Sequence, residues 1–108
     1  VITPSSPQSS RQPLSDDAVA AAVAGLPGWS HAGGALRASF RFPDFRAAMA
    51  FLMRAAFEAE DLNHHPEWSN VYNRVEVVLR THDAGGRVTA LDVELAGRFS
   101  RLAISGGA

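Results

Sequence analysis

The chain contains no cysteine, no run of basic residues and no apolar stretch as long as a bilayer span. The lack of cysteine excludes disulfides, thiolate nucleophiles and cysteine-ligated zinc. The formal net charge is -1 at pH 7, so bulk charge does not indicate direct binding of nucleic acid. No membrane partner is expected either, because a transmembrane helix needs about 20 consecutive apolar residues.

The chain's length and composition fit one folded domain with a short tail. It has 108 residues, of which 46% are hydrophobic and 19% charged, as in an ordinary globular domain. The first 13 residues, VITPSSPQSSRQP, are rich in Ser, Pro and Gln. We predict that residues 1–13 form a flexible tail, either a plain extension or a targeting remnant, and that residues 14–108 form the domain.

Local signals predict the element order α-β-β-α-β-β-α. Helices are expected after the N-cap residues Ser15 and Asp44, and a third at Thr89, where Asp92 completes a capping box. A Gly-Gly pair predicts one hairpin turn, and the stretches EWSNVY and RVEVVLRT predict a second hairpin. Each strand has one apolar face. The expected fold class is therefore α+β, a four-stranded antiparallel sheet with three helices on one face.

The long helix after Asp44 carries two apolar stripes. The first has the larger side chains and is expected to face the sheet; it contains Phe45, Ala48, Met49, Leu52, Met53 and Ala56. The second is expected to contact another subunit, unless the whole helix is deeply buried; it contains Ala47, Ala50, Phe51 and Ala55.

Three histidines are the main candidates for chemistry. His64 and His65 precede Pro66, where the chain changes from helix to strand, and His82 follows the last strand. A hairpin of the last two strands would bring all three together, where imidazoles could act as acid and base. Two alternatives remain open, a helix cap beside an exposed histidine, and a metal site. The metal site has weaker support, because adjacent extended residues point in opposite directions.

The stretch from Ala59 to Gly86, AEDLNHHPEWSNVYNRVEVVLRTHDAGG, resembles the pterin-4a-carbinolamine dehydratases. The resemblance extends more loosely over residues 14–104. It implies the same fold and a hydro-lyase reaction, loss of water from 4a-hydroxytetrahydropterin to give quinonoid dihydropterin during tetrahydropterin recycling. It also implies a cytoplasmic enzyme that needs no metal and no organic cofactor.

The resemblance also implies the site residues. His64, His65 and His82 stand at the catalytic positions; we expect His64 and His82 to transfer protons and His65 to orient the pterin. Five residues are expected to contact or support the substrate: Glu60, Asn63, Trp68, Arg80 and Thr81. Asn63 and Arg80 depart from the residues often found there, which are Asp and Ser or Thr.

The expected partners are the pterin substrate and further copies of the chain. The resemblance implies a homo-oligomer, a dimer of dimers with the long helix at one interface. The rival hypothesis is a protein-interaction module that acts as a dimerisation cofactor or transcriptional coactivator through the same helix.

Overall fold

The computed structural model describes residues 10–105, which contain a four-stranded antiparallel sheet. Residues 1–9 of the predicted tail and the last three residues lie outside this range. The elements are α1 (Asp16–Ala24), β1 (Ser30–Ala32), β2 (Ala35–Arg41), α2 (Phe45–Asp61), β3 (Glu67–Val71), β4 (Arg74–Leu79), a 3₁₀ turn (His82–Ala84) and α3 (Ala90–Ser105). The predicted order and fold class are confirmed. Within residues 10–105, no helix has the length and apolarity needed to cross a membrane.

The helices begin where the sequence predicts, because side chains satisfy their first N–H groups. Ser15 and Asp44 each accept a hydrogen bond from the N–H three residues ahead, at 3.1 and 2.8 Å. At the start of α3, the Thr89 N–H donates to the Asp92 carboxylate at 2.8 Å. The predicted capping box is therefore present, and it places a carboxylate in the first turn of α3, where the helix dipole favours negative charge.

Two hairpins joined through their inner strands form the sheet, in the order β1-β2-β4-β3. Gly33 and Gly34 form the first turn with φ of 61° and 77°, the left-handed conformations that a tight hairpin turn requires. In the second hairpin, Glu67 at the start of β3 lies opposite Val78 near the end of β4. This register brings the chain before β3 close to the chain after β4.

The apolar core lies between the sheet and the helices, and Phe51 of α2 is at its centre. Phe51 is 2% exposed, and its ring centroid lies 5.2, 5.1 and 5.9 Å from those of Phe40, Phe42 and Phe99. The prediction that Phe51 faces another subunit is therefore wrong. Ala55 of the same stripe is also buried, whereas Ala50 is exposed. The small side chains beside Phe51 let α2 approach the sheet closely, and the phenyl ring fills the remaining space.

Large apolar side chains of α2 are exposed on the other side of the helix. Phe45, Met53 and Phe57 are 47%, 62% and 68% exposed, and their spacing of eight and four residues places them along one face. We call these three residues the exposed stripe. Phe45 and Met53 were predicted to face the sheet, whereas Ala48 of the same predicted stripe is buried. The buried face of α2 therefore combines residues from both predicted stripes.

Substitution of Phe51 tests which face of α2 is buried. Phe51→Ala should lower the free energy of unfolding by about 3–5 kcal/mol, because it removes a buried ring and leaves a cavity. The control is Arg54→Ala, at an exposed position of the same helix outside the exposed stripe, which should change it by less than about 0.5 kcal/mol. Urea unfolding followed by circular dichroism measures both. Equal losses for the two variants would contradict this orientation of α2.

Candidate active site

A cavity of about 280 Å³ lies where the chain before β3 meets the chain after β4. All three candidate histidines and Asn63 line it, together with two residues that the sequence did not indicate. The lining residues are Arg11, Asn63, His64, His65, His82 and Asp83. The hairpin register thus brings the histidines together as predicted.

His64 is the buried member of the three histidines. Asn63 has the left-handed φ of 48°, which ends α2 and lets the His64 N–H donate to the Ala59 carbonyl at 3.0 Å. The imidazole is 5% exposed, and its Nε2 lies 2.6 Å from Oδ1 of the fully buried Asp92. Because an ionised carboxylate only accepts, Nε2–H is the donor, and Nδ1 is the ring nitrogen left to exchange a proton with a ligand.

Asp92 accepts two further hydrogen bonds besides its contact with the His64 imidazole. Its Oδ2 accepts hydrogen bonds from the Thr81 hydroxyl and the Thr89 N–H, both at 2.8 Å. The sequence predicted Asp92 only as a helix cap, because its contact with His64 spans 28 residues and no local pattern reports it. Thr81 is buried against Asp92 and lies outside the cavity lining, and its predicted contact with the substrate stays a prediction.

His65 and Glu60 form an exposed pair at the edge of the cavity. The His65 Nε2 lies 2.8 Å from the Glu60 carboxylate, and both side chains are largely exposed. Glu60, one of the five residues expected to contact or support the substrate, thus contacts a histidine of the cavity. Because the pair is solvated, it adds little to stability and acts mainly on the direction of the ring.

His82 is 71% exposed, and its Nε2 lies 3.8 Å from a carboxylate oxygen of Glu67. The same carboxylate accepts two hydrogen bonds from the Arg80 guanidinium, at 2.6 and 2.9 Å. These bonds hold the pKa of Glu67 below its usual value and raise the pKa of Arg80. Arg80 was predicted to contact the substrate; the structure places it on Glu67, outside the cavity lining.

Trp68 also lies outside the lining residues of the cavity. Its ring packs 6.1 Å from that of Phe99, centroid to centroid, and it pairs with Val77, whose side chain is buried in the core. The indole therefore belongs to the helix-covered side of the sheet. A contact between Trp68 and the substrate stays a prediction.

Arg11 extends from the predicted tail to the rim of the cavity. Its guanidinium donates to the Asn63 carbonyl at 3.0 Å and lies 3.5 Å from the Asp83 carboxylate. One side chain thus links the loop that carries His64 and His65 with the turn that carries His82. No sequence pattern indicated this role, because the tail shows no periodicity.

The chemistry available in the cavity is proton transfer. His64 and His65 each have a carboxylate within hydrogen-bond distance of Nε2, and the carboxylate nearest to His82 is 3.8 Å away. A hydrogen-bonded carboxylate favours one tautomer and one direction of a histidine ring. Among residues 10–105, no group of three or more His, Cys, Asp or Glu side chains is arranged to hold a metal ion. Two differently solvated imidazoles in one cavity can serve as acid and base.

Comparison with known proteins gives one consistent family. A family model described as pterin 4 alpha carbinolamine dehydratase matches residues 12–102. A protein from Opitutus terrae named "Putative pterin-4-alpha-carbinolamine dehydratase" is 64% identical over 77 residues, 71% of this chain and 79% of that protein. A protein of the same name from Mesorhizobium japonicum is 52% identical over 92 residues, which cover 83% of this chain and 93% of that protein.

A solved structure shows the same fold. The crystal structure of a transcriptional coactivator/pterin dehydratase from Brucella melitensis is 40% identical in sequence and superposes with a TM-score of 0.82. The match covers 85% of this chain and 99% of that one. The similarity therefore covers most of the chain.

Replacing Asp92 tests whether its buried contacts hold the site together. Asp92→Ala should lower the free energy of unfolding by about 3–5 kcal/mol, since it leaves buried partners unpaired. Asp61→Ala is the control, because Asp61 is an exposed carboxylate paired with Arg98 at 2.7 Å, and it should cost at most about 1 kcal/mol. Chemical denaturation of both variants gives the comparison. A loss for Asp92→Ala no larger than that of the control would show that the network is dispensable.

Proposed function

The chain belongs to the pterin 4 alpha carbinolamine dehydratase family, and we propose that it removes water from a 4a-hydroxytetrahydropterin to give the quinonoid dihydropterin. The observation that supports this reaction best is the cavity itself. Three imidazoles from two chain segments line it, and each has a carboxylate facing Nε2. Such an enzyme would support the recycling of tetrahydropterin.

The reaction needs an acid and a base at different points of one flat ring. Loss of water requires a proton on the departing 4a-hydroxyl and removal of the proton on N5. Positioned imidazoles provide this kind of transfer, which typically accelerates reactions about 10²–10⁴-fold. The elimination makes no net change in protons, so acid and base can return to their starting states within one cycle.

We assign the proton transfers to His64 and His82. His64 lies on the loop after α2 and His82 beyond the end of β4, so they approach a bound ring from separate segments. His65 is next to His64 and is held by Glu60; we assign it to orientation of the pterin. Asn63 supplies a further polar group of the lining.

A second candidate function is protein interaction through α2. The exposed stripe presents three large apolar side chains to solvent within residues 10–105, and the solved Brucella relative has a title that includes transcriptional coactivator. We propose that this stripe, rather than the predicted Phe51 stripe, contacts other subunits of a homo-oligomer, a dimer of dimers. A helix of a different protein is the alternative occupant.

The dehydratase proposal predicts that the wild-type protein accelerates dehydration of freshly prepared 4a-hydroxytetrahydropterin in buffer containing a chelator. His82→Ala should lower turnover about 10²–10⁴-fold and stay folded, because the ring is exposed. His82 gives a cleaner test than His64, because removal of the His64 ring would also leave Oδ1 of the buried Asp92 without its hydrogen-bond partner.

The matched control is His31→Ala, which removes an exposed histidine of β1 and should keep full activity. Stopped-flow absorbance of the product measures all three proteins. A wild-type rate equal to the spontaneous rate would exclude the function, and a fully active His82→Ala would exclude the role of that residue.

The interaction proposal predicts that wild-type protein sediments as an oligomer and that Met53→Glu dissociates it. In an interface, the introduced carboxylate would be buried without a partner, which costs far more free energy than leaving it exposed. Each subunit should stay folded, because Met53 does not contribute to the core. Arg54→Glu is the control, since it changes charge at the adjacent exposed position and should leave the assembly intact. Sedimentation velocity decides this: a monomeric wild type, or an unchanged Met53→Glu assembly, would show that the stripe is not an interface between subunits.

A further inference from the structure

We propose that Glu67 is a positioning residue for His82, and that Arg80 acts by holding Glu67 rather than by binding the substrate. This inference rests on the proposed dehydratase function. It concerns three side chains on two strands and the turn that follows them. It also explains why an arginine can stand at position 80, where the resemblance leads one to expect Ser or Thr.

The sheet register sets up the contact between Glu67 and Arg80. Glu67 lies opposite Val78, and Arg80 is two residues further along, which places it on the same side of the chain. Nε and one terminal nitrogen of the guanidinium donate to the two oxygens of the carboxylate, at 2.6 and 2.9 Å. This two-pronged geometry fixes the plane of the carboxylate as well as its position.

Arg37, whose Nε donates to the Ala32 carbonyl at 2.9 Å, adds positive charge near Glu67. It lies on β2 opposite Val78, on the sheet face that the helices do not cover, and its charge also lowers the pKa of Glu67. Glu67 therefore remains an anion throughout the pH range in which a histidine exchanges protons. An exposed glutamate without these partners would sample several rotamers.

His82 faces this fixed anion through Nε2, at 3.8 Å from Oε2. A small rotation of the exposed ring would bring Nε2–H within hydrogen-bond range, which leaves Nδ1 to exchange a proton with the pterin. After this rotation, His82 would be paired as His64 is with Asp92 and as His65 is with Glu60. Glu67 would then orient the solvated His82 ring.

The other charged groups around His82 do not replace Glu67. Asp83 is the next residue, but its carboxylate lies toward Arg11 at 3.5 Å. His64 and His65 line the same cavity, and Arg87 pairs through its backbone with Thr81. Among the residues that the structure describes, Glu67 is the carboxylate placed against the His82 ring.

Three variants test the proposal by kinetics. Glu67→Ala should lower kcat roughly tenfold with little change in KM, a smaller loss than removal of a proton-transfer group. Arg80→Ala should also lower kcat and leave KM unchanged. The double variant should be no slower than Glu67→Ala alone, because Arg80 acts only through Glu67. A kcat loss in the double variant equal to the product of the two single losses, or a raised KM for Arg80→Ala, would show that Arg80 binds the substrate directly and would overturn the proposal.

A histidine NMR spectrum in alkaline buffer tests the same contact without substrate. The nitrogen chemical shifts of a neutral imidazole report which ring nitrogen carries the proton, and the Glu67 carboxylate facing Nε2 favours the proton on that atom. In Glu67→Ala, the His82 nitrogen signals should therefore move toward a mixture of the two tautomers. Glu76→Ala is the control, since Glu76 forms a similar exposed pair with Arg74 on the same hairpin; it should leave the His82 signals in place. Unchanged His82 signals in Glu67→Ala would overturn the proposal. Changed signals in a protein without dehydratase activity would instead reject the proposed function and retain the contact.

Discussion

The buried contact between His64 and Asp92 is the constraint on which the geometry of the site depends. The two oxygens of Asp92 accept hydrogen bonds from three separate segments: the loop after α2, the end of β4 and the start of α3. A fully buried carboxylate is costly unless it is paired and hydrogen-bonded, so these segments cannot separate without a large loss of stability. The cavity lies along two of them, and its shape is therefore fixed by the same interaction that begins α3.

The three imidazole–carboxylate pairs differ mainly in solvation. His64 and Asp92 are buried, whereas His65, His82 and their partners Glu60 and Glu67 are exposed to different degrees. Exposed pairs of this kind are weak and are screened by salt. We therefore infer that His64 is the rigid reference point of the site and that the other two rings adjust when a ligand enters.

Local signals were sufficient for most of the fold and for part of the site. The caps, the hairpins and the cluster of histidines depend on neighbouring residues or on one hairpin register, which the sequence displays. The buried face of α2 could not be predicted in this way. Its two stripes are both apolar, and Phe51 faces the sheet because of how its ring fills the space among Phe40, Phe42 and Phe99. The partners of His64 and His82 were also missed, since contacts between distant segments leave no periodic pattern.

The proposed function requires that the three histidines form one pterin site. Titration with a 7,8-dihydropterin, which lacks the 4a-hydroxyl, tests it most directly when the imidazole signals are followed by NMR. We predict that the signals of His64, His65 and His82 shift together along one binding curve, while His31 on β1 stays unchanged. Binding that leaves the three signals in place, or that shifts His31 instead, would contradict the account.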